Sequence, residues 1–121
     1  MYEVIDIRLD ERTNGKMLVL VMVDDFMELP FRMNKTTIDK MLAHADTSSN
    51  TSAIVQWEFN AENGQTKLFY TSERVYDGLH VKVESKKWHQ PSDIYLHLAE
   101  IDFHLSQDSL DALKFMRAQM K

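Results

Sequence analysis

A chain of 121 residues with 44% hydrophobic and 27% charged side chains can bury about two-thirds of its unfolded surface, and is expected to be one domain over 1–121. The absence of cysteine excludes disulfides and thiolate chemistry, and three Gly and two Pro leave little room for a long disordered segment. The net charge of −5 is concentrated in residues 1–60, with ten acidic and six basic side chains against nine and eight in 61–121, which disfavours phosphate binding and matches a basic protein partner better.

The N-terminal Met1-Tyr2-Glu3-Val4-Ile5-Asp6 alternates charged and apolar residues and shows no signal-peptide pattern, so the expected location is cytoplasmic. A first strand, about 3–9, places Ile5, Ile7 and Leu9 on one face. The uninterrupted apolar run Met17–Val23 follows. At seven residues it is too short to span a bilayer, which takes about 20 as a helix, and it reads as the central strand with both faces covered. Asn14-Gly15 predicts a type I′ turn pairing Thr13 with Lys16, hence Leu9 with Leu20 and Ile7 with Met22. Val19, Val21 and Val23 then form a strip opposite Asp10, Arg8 and Asp6. That strip needs cover, either from a second copy in a two-fold homodimer, the favoured expectation, or from a helix in a sandwich.

A third strand, about 27–33, contains Pro30, which cannot donate to a ladder and so suits an edge. Asn34 caps a helix over about 35–45, with Met33 and Ile38 as a hydrophobic staple and Ile38, Met41, Leu42 and Ala45 as its buried stripe. After a polar loop, 46–51, a hairpin of 53–60 with 66–72 turns at Asn63-Gly64. Two-residue closure there pairs Phe59 with Leu68 and Trp57 with Tyr70. A strand over 79–84 leads into a loop, 85–92. From Ile94 the apolar phase changes, Ile94, Leu96 and Leu98 being even and Ile101, Phe103 and Leu105 odd. A tight turn or a bulge at Ala99-Glu100 restores one apolar face and leaves Tyr95, His97, Asp102 and His104 on the other. Ser106 caps a last helix, about 107–120, with Leu110, Leu113, Met116 and Met120 inward and Phe115 opposite.

The expected fold class is α+β: a mainly antiparallel sheet of about seven to eight strands built from hairpins, with two helices. Phe31–Met41 aligns without gaps on Phe103–Leu113, which suggests an internal repeat of 1–46 and 53–121, two strand-rich units each closed by a helix.

No phosphate loop, metalloprotease motif, nucleophile elbow or calcium loop occurs, so no enzyme, cofactor or resident metal is expected. The candidate partner-binding residues are Lys86, Lys87, Trp88 and His89, a basic and aromatic cluster, together with Phe115. The first functional expectation is a non-enzymatic cytoplasmic protein binding another protein, as inhibitors, immunity proteins or adaptors do. The alternative is a binder of single-stranded nucleic acid on a sheet face, for which Trp88 stands with Lys86, Lys87, Lys67 and Phe69. Third comes a small-molecule or metal site at the 94–105 hairpin, where a two-residue turn sets His97 against Asp102 and Tyr95 against His104. No membrane partner is expected.

Overall fold

The apolar run forms β2 (Met17–Asp24), between β1 (Tyr2–Leu9) and β3 (Met27–Asn34), and its Leu18, Leu20 and Met22 are fully buried. In this computed structural model the described residues are 1–46, 51–60, 64–89 and 94–121, with side chains outside 51–65 and 88–98. The expected turn at Asn63 and the Trp57 and Phe59 side chains lie outside the described residues. After β3 come α1 (Lys35–Ala45), β4 (Thr51–Asn60), β5 (Gly64–Val75), β6 (Gly78–His89), β7 (Ile94–Leu105) and α2 (Gln107–Ala118). Among the described residues no helix is long and apolar enough to cross a membrane.

The sheet runs β3-β2-β1-β7-β6-β5-β4. It is mixed, which corrects the expectation of a mainly antiparallel sheet: Tyr2 and Glu3 of β1 pair in parallel with Phe103 and His104 of β7. Hairpin signals reveal only strands that are neighbours in sequence, whereas this seam joins strands from opposite ends of the chain. Pro30 does lie on an edge strand.

At the first corner, Asn14 (φ 54°) and Gly15 (φ 77°) have the backbone a type I′ turn needs, and the Lys16 N–H donates to the Thr13 carbonyl. The strands nevertheless pair two residues out of the expected register, Leu9 with Leu18 and Ile7 with Leu20. A short 3₁₀ turn at Glu11–Thr13 adds two residues on the β1 side only, held by the Asp10 carboxylate, which accepts from the Arg12 N–H. Further along β1 the register shifts between Val4 and Asp6. Ile5 is therefore bulged outward and 55% exposed, not on the apolar face as expected, and Tyr2 and Val4 pack against the core instead.

The second hairpin pairs Asn60 with Gly64, so Phe59 lies opposite Gln65 and Trp57 opposite Lys67, correcting the expected pairs with Leu68 and Tyr70. The difference is odd, so Trp57 occupies the register position beside Lys67 and not that beside Tyr70. The expected loop 85–92 is also corrected. β6 continues to His89 and pairs with β7 throughout, because ladder hydrogen bonds do not require the apolar alternation that Ser85-Lys86-Lys87 lacks. Nor does β7 turn at Ala99-Glu100. It is one strand with a bulge, Ala99 opposite Ser85 but His97 opposite Lys86.

The two helix entries share their geometry. Asn34 Oδ1 accepts from the Thr37 N–H at 2.9 Å, and Ser106 Oγ from the Ser109 N–H at 3.1 Å. Met33, Ile38 and Met41 are buried, as are Leu105, Leu110 and Leu113 at the aligned positions. Helix α1 lies across β3, β4 and β5, while α2 packs chiefly on β1, so each helix also closes the other strand-rich half. Between the halves, Phe31 meets Tyr70 and Phe103 at centroid distances of 6.3 and 6.0 Å. His44, on the inner side of α1, is buried and its Nδ1 lies 2.7 Å from Ser72 Oγ.

Both helices thus take the face of Leu18, Leu20 and Met22, and the valines face outward. Val19 is only 5% exposed there, because it lies in a groove lined by Arg8, Pro30 and Arg32, and Arg32 Nε is anchored 2.9 Å from the buried Asp10 carboxylate. Val21 and Val23 are half-buried.

Candidate binding face

Strand alternation divides β5–β7 cleanly. Leu68, Tyr70, Leu79, Val81, Val83 and Phe103 point to the core, which leaves Lys67, Phe69, Thr71, His80, Lys82, Glu84, Lys86, Asp102 and His104 on the outer face. The pairings then build rows across the strands. Trp57, Lys67, Lys86 and His97 occupy successive register positions on β4, β5, β6 and β7. Two residues further along, Val55, Phe69, Glu84 and Glu100 form the next row, and two further still come Ala53, Thr71, Lys82 and Asp102. Trp88 and Tyr95 pair beyond the first row, toward the opposite end.

Phe69, half-buried and away from the core, has the Lys86 ammonium 4.8 Å from its ring centroid, a cation–π distance. Lys86 also lies 3.7 Å from Glu84, and Lys82 lies 3.3 Å from Glu100 and 4.0 Å from Glu84. The face is therefore mixed in charge toward its middle. At the seam it turns acidic: Glu73 pairs with His80, His80 with His104, and His104 with Glu3. His104 Nδ1 is 3.3 Å from Glu3 Oε2 and its Nε2 is 2.9 Å from the Asp77 carbonyl, while its ring sits edge-on to His80 at 5.3 Å.

The predicted site residues are thus separated. Lys86 lies on the outer face, whereas Lys87, opposite Thr66 and Leu96, alternates to the inner side. Trp88 and His89 belong to the same strand, opposite Tyr95 and Ile94, with side chains outside the described residues. Phe115 is 67% exposed on α2, on the helical side of the molecule, and does not join them. The expected pairing of His97 with Asp102 is overturned with the turn that required it, since they lie opposite Lys86 and Lys82. Among the described residues no group of three His, Cys, Asp or Glu is placed to hold a metal ion. Sequence reasoning missed His80, which meets His104 across the antiparallel β6–β7 pair, and Glu3, which the parallel seam brings to it. No family model, curated protein or solved structure matches this chain.

Proposed function

We propose that this is a non-enzymatic binding protein of the cytoplasm that holds a macromolecular partner on the outer face of β4–β7. The observation that carries the reading is the Lys86–Phe69 pair, an aromatic ring and a cation stacked on the solvent side of the sheet. Aromatic and basic side chains of this kind anchor macromolecular interfaces. A binding role also suits the outer face better than catalysis, because among the described residues the cleft where Glu73, His80, Lys82 and Asp102 meet lies on the open sheet face and is not enclosed. The protein partner expected from the sequence rests on the acidic surplus of residues 1–60 and on the valine strip. The cover that Arg32 and its neighbours give Val19 reduces the second of these supports.

Affinity capture from extract of the native cell, with the wild-type chain beside a Phe69→Ala, Lys86→Gln variant, tests the reading. The expected result is a macromolecule retained by the first and lost by the second, with thermal unfolding of the variant still cooperative. Equal retention by both removes this face as the working surface.

A further inference from the structure

We infer that the cleft on the outer face of β1–β3 binds a small organic carboxylate, at a second site independent of the β4–β7 face. Arg8, Val19 and Arg32 occupy one register position on β1, β2 and β3, so an arginine stands on either side of a single valine, with about 10 Å between the two Cα atoms. Between them opens a cleft of about 440 Å³, lined also by Glu11, Arg12 and Pro30 and within the size range of small-molecule sites. Val19, only 5% exposed, is its apolar floor.

The charges of the cleft do not cancel. Asp10, itself 5% exposed, is fully engaged: Oδ2 accepts from Arg32 Nε at 2.9 Å, Oδ1 accepts from the Arg12 N–H at 3.2 Å, and Arg12 Nε lies 3.8 Å from Oδ1. That buried carboxylate fixes where Arg32 stands but takes only its Nε, so the terminal nitrogens keep their N–H groups for another acceptor. The Arg8 guanidinium has no hydrogen bond or ion pair among the described residues. Against the three arginines the lining holds two carboxylates, Asp10 and Glu11. Asp6, next to Arg8 along the outer side of β1, lies outside the lining, and its Oδ1 accepts from the Ile7 N–H at 2.9 Å. One positive charge is left over in a chain whose net charge is −5.

The size of that surplus selects the ligand. A monoanion neutralises it, whereas a phosphate monoester, with a charge of about −2, overshoots it beside Glu11 and Asp6. A guanidinium presents paired N–H groups that match both oxygens of a carboxylate. With Arg8 and Arg32 on either side the carboxylate is met from two directions, and Val19 and Pro30 receive the hydrocarbon part of the acid.

Benzoate is the probe, with benzamide as its neutral isostere and phenyl phosphate as the dianion. Each is titrated into the full isotope-labelled chain and followed by NMR through the arginine Nε–H and Val19 methyl signals. Saturable benzoate shifts are expected at Arg8, Arg32 and Val19 with a Kd below about 10 mM, with weaker binding of phenyl phosphate and none of benzamide. Arg8→Gln should keep the thermal transition, because that guanidinium holds nothing else in the fold, and should weaken benzoate binding at least about tenfold, the loss of one charge-assisted hydrogen bond. Arg8→Lys, which keeps the charge without the planar fork, should lie between the two. The Phe69→Ala, Lys86→Gln variant should bind benzoate as the wild type does, so this site stands or falls apart from the β4–β7 face. No saturable shift up to that concentration, equal shifts from benzamide, or an affinity unchanged in Arg8→Gln overturns the inference. Tighter binding of phenyl phosphate than of benzoate overturns the carboxylate assignment.

Discussion

At the scale of single residues, Gly78 is the most constrained position of the β5–β6 turn. Its φ is 118°, and a Cβ built on it would lie 1.9 Å from the Leu105 carbonyl oxygen, at the junction of β7 with α2. Gly78→Ala therefore combines a disfavoured backbone with a backbone clash, and a loss of more than about 2 kcal/mol in urea unfolding is expected. A second residue-scale effect is electrostatic. Arg117 donates to both Asp39 oxygens, Nε to Oδ1 at 2.7 Å and Nη2 to Oδ2 at 3.1 Å, and so ties α2 to α1. These hydrogen bonds hold the Asp39 carboxyl below its ordinary value, with slight desolvation acting the other way. A carboxylate with a lowered folded pKa adds stability above its unfolded pKa and loses it as pH falls through the folded one. Asp39→Asn should thus lower the melting temperature slightly at neutral pH, the effect being small because the pair is solvent-screened. The difference between variant and wild type should vanish at acid pH, below the usual carboxylate range; a gap that persists there would assign the effect to packing.

Among the elements, the helices were the most legible. Asn34 and Ser106 mark both starts because a cap is a local device, its side-chain oxygen meeting an N–H three residues on. Asn34→Ala and Ser106→Ala should each cost about 1 kcal/mol in urea unfolding. Since each helix closes the opposite half, unfolding of both variants should remain one transition by circular dichroism and by fluorescence. Strand register was less legible. Asn14-Gly15 names the turn correctly but cannot show that Asp10 stabilises two further residues on one side of it. The pairing of Asn60 with Gly64 likewise depends on where the hairpin closes, and that one choice decides whether Trp57 stands opposite Tyr70 or opposite Lys67 in the register. The candidate site was therefore half visible. Lys67, Phe69, Lys86 and Trp88 could be singled out by residue type, while their row with Trp57 and His97 required the register. The outward bulge at Ile5 had no sequence signal, since Ile5, Ile7 and Leu9 alternate as an unbroken strand would.

For the molecule as a whole, the valine strip and the mixed sheet are the deciding features. Val21 and Val23 are what β2 leaves half-open on its outer side, and a two-fold dimer through them predicts a mass of about twice 14.2 kDa by light scattering, returning to 14.2 kDa in Val21→Lys. A constant 14.2 kDa across the micromolar range would show that Arg8 and Arg32 are cover enough.

The parallel seam has a consequence in time. β1 is made well before β7, its neighbour through Tyr2 and Glu3, with β2–β6 and α1 between them. Contacts so distant along the chain form slowly, so the seam should be the late step of folding. During synthesis β4–β7 can pair strand by strand as a meander, while one edge of β1 waits without its partner. Such an edge invites pairing with another nascent copy. The exposed charges of Glu3, Asp6 and Arg8 along β1 are therefore placed where they can keep growing chains apart until β7 and α2 arrive.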